Sequence, residues 1–202
     1  MHRSIWPLSC VASITLSVLL IGCSPSVPLV VGQKLTDAES KLRKLGFKVA
    51  SRSEENFDAP SGQVISQAPK AGTSAKKDSL VSLVAAAKPT LTGIFTLIDS
   101  EISSTLDGCA GTGGYSDVKT GLQVVVKSEK NEILAVGALG GDNNYYYSEQ
   151  YSQVACDFTF SIKDLPRASF YQIEVGRRGS LKYSFDELRN AKWMVQFSLG
   201  GS

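Results

Sequence analysis

The chain has 202 residues, a formal net charge of +2, four cysteines and one histidine. That histidine is His2, inside an N-terminal stretch that reads as an export signal. Once the signal is removed no histidine is left, which excludes Ser-His-Asp and Cys-His catalysis, histidine proton shuttles and most zinc sites.

In chain order, the first element is a short basic start, His2-Arg3, followed by an uncharged apolar run from Val11 to Ile21. The run is about the length of a signal-peptide core and short of the ~20 residues of a spanning helix. Ser4 to Gly22 is also uncharged, so an uncleaved N-terminal helix is the alternative. Leu20-Ile21-Gly22-Cys23 resembles the lipobox of bacterial lipoproteins. The resemblance implies that residues 1–22 are a signal peptide and that Cys23 carries a diacylglycerol thioether as the first mature residue. Two acyl chains on one thiol anchor a protein where a single chain does so only marginally. Cys10 would leave with the signal and Cys23 would be lipidated. Cys109 and Cys156 then remain, and in an exported chain they can form one disulfide, with two free buried thiols as the alternative.

The rest divides near Ala85-Ala86-Ala87-Lys88-Pro89. Residues 28–88 hold ten Lys and Arg against six Asp and Glu, a net +4, and residues 89–202 hold ten against thirteen, a net −3. In the basic half, LTDAESKLRKLGF predicts a helix. Thr36 is the expected N-cap with Glu39 closing a capping box. Leu35, Ala38, Leu42 and Leu45 form the expected apolar face, and Gly46 ends the helix at C′. Phe47 and Val49 open a strand. Gly62, Pro69 and Gly72 punctuate the next stretch around Val64-Ile65. In DSLVSLVAA both alternating sets are apolar, which predicts a strand covered on two faces.

VPLVVG, the helix ending in LGF, and VISQAPKAGT before a closing strand together resemble a PASTA domain, the module named for penicillin-binding proteins and serine/threonine kinases. The resemblance implies one helix on a three-stranded sheet over residues 28–87, behind a lipidated tether of residues 23–27. Some members of the family bind muropeptides or cell-wall glycan. A single copy lacks the avidity of tandem arrays. Arg52, Lys70, Lys76 and Lys77 are the candidate anion contacts of this half, with a solvated basic face as the plainer alternative.

From Leu91 onward the pattern has period two. LTGIFTLI, LQVVVK, Ile133 to Leu139, CDFTFSIK, FYQIEVG and WMVQFSL read as about six short antiparallel strands. YSFDELRNA reads as one helix with Ser184 and Glu187 forming a capping box. This predicts a β-sandwich over residues 88–202, with Cys156 on the buried face joined to Cys109 in a glycine-rich loop. GTGGYSDVKTGLQVVV, CDFTFSIKDLP and FYQIEVGRRGSLKYSFDEL resemble an extracytoplasmic domain of actinobacterial lipoproteins, to which no activity attaches.

Three stretches invite chemistry. Gly113 and Lys119-Thr120 nearly fit a phosphate loop, but Val118 stands where that loop needs glycine. Asp107, Asp117 and Asp142 could offer oxygens to Ca²⁺, without EF-hand spacing. GGDNNYYYSEQYS gathers Tyr145, Tyr146, Tyr147 and Tyr151 among Asn, Ser and Gln, the composition of adaptable binding loops whose tyrosines stack on sugars. Arg177-Arg178, flanked by Gly176 and Gly179, reads as a charged hairpin turn.

The expectation is an α+β PASTA domain followed by a disulfide-linked β-sandwich, without catalytic activity, cofactor, metal or nucleic-acid partner. The expected partners are the membrane, through the lipid anchor, and peptidoglycan or another envelope protein. The alternative function is a small-ligand carrier with a pocket in or beside the β half. An enzyme using Lys and carboxylates is a third reading, which two carboxylates in one cleft would favour.

Overall fold

The computed structural model describes residues 25–105, 108–141 and 144–201. The expected signal peptide and lipidation site at Cys23, and also Asp107, Asp142 and Asn143, lie outside the described residues.

The N-terminal half folds as α1 (Leu35–Lys44), β1 (Lys48–Glu55), β2 (Val64–Ala68) and β3 (Leu80–Ala87). The sheet runs in the order β1-β3-β2, with β1 parallel and β2 antiparallel to β3. Ala38 and Leu42 of α1 pack with Val27, Val30, Phe47, Val64, Val81 and Leu83 into one core. The C-terminus of α1 is the expected one. Gly46 has φ 85°, its N–H donates to the Arg43 carbonyl at 2.9 Å, and the Phe47 N–H donates to Leu42 at 3.1 Å. This is the Schellman pair of bonds, with the buried Leu42–Phe47 contact that accompanies it.

The other end of α1 corrects the capping expectation. Lys34, not Thr36, is the N-cap, and no side chain caps the helix. Tertiary pairing sets the start instead: Lys34 bridges to Gln63 and the Leu35 N–H donates to the Gly62 carbonyl at 2.8 Å. Glu39 is thereby free to accept from the Ser51 hydroxyl at 2.7 Å. Leu45 is exposed, off the apolar face. β3 is covered along one face, where Val81, Leu83 and Ala85 are buried, and on the other only towards its end: Leu80 is 56% exposed, whereas Ala86 is buried. Nor is the whole of residues 23–27 a tether. Val27 is buried and exchanges backbone bonds of 2.8 Å with Gly72 and Thr73.

The C-terminal half adds β4 (Leu91–Asp99), β5 (Ile102–Thr105), β6 (Gly108–Gly111), β7 (Gln123–Ser128), β8 (Ile133–Ala138), β9 (Asn144–Ser148), β10 (Gln153–Ile162), β11 (Phe170–Val175), β12 (Ser180–Ser184), α2 (Phe185–Asn190) and β13 (Met194–Gly200). Two four-stranded sheets, β13-β4-β10-β9 and β12-β11-β7-β8, enclose the larger core, and β5-β6 forms a separate ribbon. Phe95 and Leu97 from β4, Val124 and Val126 from β7, Phe158 and Phe160 from β10, and Tyr171 and Ile173 from β11 meet there, as the alternation predicts. The Tyr171 hydroxyl donates to Pro166 C=O and accepts from Ala168 N–H, both at 3.0 Å, which satisfies a fully buried polar group.

Cys109 on β6 is bonded to Cys156 on β10, with Cα atoms 6.0 Å apart, so the disulfide staples the ribbon to the first sheet. The expected capping box of α2 is present, with both Ser184 and Glu187 contributing. The all-antiparallel expectation is corrected at one pair, because β13 runs parallel to β4. The chain leaves β12 on one sheet, crosses through α2 and enters the other sheet in that direction, as a parallel pair requires.

The two halves touch through side chains. Phe57 follows β1 but packs against the larger core, edge-on to Phe185 at 5.6 Å and tilted to Trp193 at 6.4 Å. The Trp193 indole N–H donates to Glu55 at 3.2 Å. Arg189 pairs with the same carboxylate at 3.4 Å, and the Arg167 guanidinium lies 4.1 Å over the Phe185 ring. Lys192 and Trp193 both have positive φ, 54° and 60°, an unusual backbone for residues other than glycine that turns the indole towards this junction.

Candidate functional site

Two surfaces hold the chemistry-bearing residues, and they lie on different domains. The first is the pole of the small domain where the chain enters. β1 and β3 are parallel, so both begin at this pole, with Lys48 opposite Leu80. The C-terminus of α1 and the β2–β3 loop end there too. Ser26 bridges to Ser74, and the Ala75 N–H donates to Pro25 C=O at 3.0 Å, so the entering chain lies directly on that loop. The stem of Lys77 covers Gly46, where a Cβ would meet its Cγ at 3.4 Å. Lys70, Lys76 and Lys77 therefore share one end with Lys44 and Lys48, two residues the sequence reading did not single out. All five are exposed, and none forms a salt bridge among the described residues. Arg52 stands apart, midway along β1 and paired with Glu54 at 2.9 Å.

The second surface is the outer face of sheet β13-β4-β10-β9. Tyr145, Tyr146 and Tyr147 stand on edge strand β9, not on a loop, and its alternation divides them, while Tyr151 lies in the turn that follows. Tyr146 lies opposite Ala155 and lines a cleft of about 420 Å³ with Tyr151, Thr96, Asp157, Gln196 and Ser198. Tyr145 and Tyr147 lie opposite Cys156 and Val154, on the other face of the strand. Within the cleft Asp157 Oδ1 accepts from the Thr96 hydroxyl at 2.6 Å and from the Tyr146 hydroxyl at 3.4 Å. Desolvation, together with the neighbouring Asp157 charge, pushes the Tyr146 phenol above its ordinary range, so it stays a donor.

The remaining sequence motifs are structural. Val118 is fully buried, and Gly113–Tyr115 is a 3₁₀ turn. Arg178 clasps that turn: it donates to Gly114 C=O at 2.6 Å, pairs with Asp117 and lies 5.2 Å over the Tyr115 ring. Asp117 is thus engaged rather than presented to a cation. Among the described residues no group of three His, Cys, Asp or Glu is placed to hold a metal. Asp117 and Glu174 line one open hollow, but each is ion-paired, to Arg178 and to Lys127.

Residues 25–86 match the family model described as the PASTA domain, and the chain carries such a domain, followed by a β-rich, disulfide-bonded domain. PASTA domains are non-catalytic binding modules. Among solved structures, the entire extracellular region of the Ser/Thr kinase PrkC from Staphylococcus aureus is similar at 20% identity, with a TM-score of 0.31. That likeness covers 79% of this chain and 50% of that one, so the chain spans half the length of the kinase region. No curated protein matches the chain.

Proposed function

We propose that the protein is an extracytoplasmic lipoprotein, anchored through Cys23, whose PASTA domain rests on the membrane surface and holds the β domain outward as an envelope-binding or interaction module. The single observation that carries this reading is the lysine pole, which gathers around Pro25–Val27 where the chain enters the fold. From Cys23 to Pro25 an extended chain spans at most ~7 Å, so a lipidated Cys23 brings that pole against the headgroups. Anionic lipid favours such a face by about 1 kcal/mol per lysine close to the surface. Glu55 and Phe57, at the opposite end of β1, meet the β domain, which directs that domain away from the bilayer. The Cys109–Cys156 disulfide supports an oxidising, exported location.

The test is paired co-sedimentation of the soluble Ser24–Ser202 fragment with phosphatidylglycerol vesicles and with purified peptidoglycan. The expected result is salt-reversible binding to the vesicles. Changing Lys76 and Lys77 together to Glu should weaken it by about tenfold or more. Binding to peptidoglycan alone, competed by soluble muropeptide, would replace membrane docking with wall recognition. Lipidation has its own test. Cys23→Ala should leave uncleaved precursor without acyl label, and an unmodified Cys23 in membrane-purified protein would refute it.

A further inference from the structure

We infer that the outer face of sheet β13-β4-β10-β9 is a binding site for a neutral saccharide. The inference concerns the β domain alone and stands whether or not the lysine pole meets a membrane.

Strand register assembles the floor. Ser198, Thr96 and Asp157 lie side by side across three strands, and Gln196, Ile94 and Thr159 form the next rank. The cleft beside Tyr146 and a second of about 440 Å³ share Ile94 and run along the same face towards Met194. No Lys, Arg or His lines either one; Asp157, in the first, is the one charged side chain of the pair, and the second has none. That composition decides the ligand class. A phosphate, sulfate or carboxylate would meet a carboxylate with no cation to offset it. A purely apolar molecule would strip water from hydroxyls and amides without replacing their bonds. A neutral sugar satisfies both demands. Its hydroxyls donate to a carboxylate and exchange bonds with Gln and Ser, while the C–H face of its ring lies on an aromatic side chain.

The partners are placed for that exchange. Asp157 Oδ1 is taken by Thr96 and Tyr146, and Oδ2 accepts no hydrogen bond from a described side chain. Gln196 and Ser198 likewise make no side-chain bond among the described residues. Tyr146 and Tyr151 are 38% and 37% exposed, enough to offer a ring surface while the rest of each is held. Tyr151 lies against Gly201, where an added Cβ would meet its ring at 2.9 Å, and Tyr146 is held through its hydroxyl by Asp157. A ring already in place loses little freedom on binding. The trough is longer than one ring, and its second half is more apolar, with Ile94 and Met194 beside Thr159. It therefore fits an oligosaccharide carrying an apolar substituent better than a free monosaccharide.

The experiment uses the soluble Ser24–Ser202 fragment, titrated with chitotetraose, cellotetraose and maltotetraose and followed by calorimetry and tyrosine fluorescence. Tetragalacturonate is the anionic comparison. At least one neutral tetrasaccharide should bind and perturb tyrosine emission, with tetragalacturonate inert. Asp157→Asn and Tyr146→Ala should each weaken binding by about tenfold, the loss of one charge-assisted bond or one stacking contact. Gln196→Ala, which spares the aromatic wall, should weaken it less. Lys76→Glu with Lys77→Glu should leave sugar binding unchanged, which separates this result from the vesicle experiment. The inference is overturned if no neutral tetrasaccharide binds at millimolar concentration. Preference for tetragalacturonate, or binding unaltered in both Asp157→Asn and Tyr146→Ala, would overturn it equally.

Discussion

The two domains solve the same problem with unequal means. Eight buried apolar residues form the core of the PASTA domain, against twenty in the β domain, and only the larger one has a disulfide. A core that small contributes little net stability against chain entropy. The PASTA domain compensates at its poles. At one, the entering strand is bonded to the β2–β3 loop; at the other, Phe57 is lent to its neighbour's core. Its surface is thereby free to be basic and polar, whereas the β domain can hold a flat face open because its interior is already secure. The difference teaches that the small domain's lysine face is tied to the bonds that hold its entering chain, whereas the open sheet face of the β domain lies over a core already secured.

The largest expected effect breaks the advantage of the β domain. The disulfide closes a loop with a separation of 47 residues. The chain-entropy relation puts its contribution at about 4 kcal/mol. Cys109→Ala with Cys156→Ala should lower the β-domain melting temperature sharply while the PASTA transition moves little, as scanning calorimetry under non-reducing conditions will read. The same protein, unaltered, should show no titratable thiol between these two positions.

Next comes the residue that blurs the comparison. Phe57 belongs by sequence to one domain and by packing to the other. Phe57→Ala should cost about 2 kcal/mol, less than a fully buried aromatic because the ring is only half-buried. It should also move the PASTA and β-domain transitions further apart. An unchanged interval between them in the variant would mean that Glu55, with Trp193 and Arg189, couples the domains by itself.

A smaller effect sharpens the account of the PASTA domain. Gly46 has φ 85°, where an L side chain is strained, and the Lys77 stem lies against the site. Gly46→Ala should destabilise the PASTA domain by about 1 kcal/mol, and it should loosen Lys77 and so weaken vesicle binding slightly. Chemical denaturation checks the first and co-sedimentation the second.

Legibility in the sequence followed the same division. Strands with one buried face, such as β10 with Cys156, Phe158, Phe160 and Ile162, were readable, because burial writes a period of two into them. So were Gly46 and the Ser184–Glu187 box, whose signals are local. β5, β6, β9 and β12 carry little buried side-chain pattern, so nothing in the sequence marks them as separate strands. The Thr36 signal misplaces the start of α1, because backbone pairing with Gly62 and Gln63 overrides it. Nothing local to Lys44 and Lys48 pairs them with Lys76 and Lys77; only the parallel pairing of β1 with β3 brings all four to one pole. Four tyrosines were visible as a cluster. That Tyr146 faces one way and Tyr145 and Tyr147 the other depends on β9 being a strand, which its polar sequence does not announce, and Tyr151 joins Tyr146 from the turn after β9.

The smallest expected effect is on acid stability, and it too falls on the β domain. Hydrogen bonding from Arg178 holds the Asp117 carboxyl below its usual range, and hydrogen bonding from Lys127 does so for Glu174. The Ser184 backbone N–H does the same for Glu187. A carboxylate whose folded pKa is depressed contributes stability above its unfolded pKa, about 4, and that contribution is lost as the pH falls through the folded value. The β-domain melting temperature should therefore decline progressively below about pH 4.5. Asp117 is 46% exposed, so solvent and salt screen its pair and the share from that residue is slight. Asp117→Asn should flatten the profile a little, lower the melting temperature at neutral pH, and leave the two variants converging at low pH. If wild type and Asp117→Asn instead remain separated by the same interval at every pH, the clasp acts through Gly114 and the Tyr115 ring, and the ion pair contributes nothing to the difference between the domains.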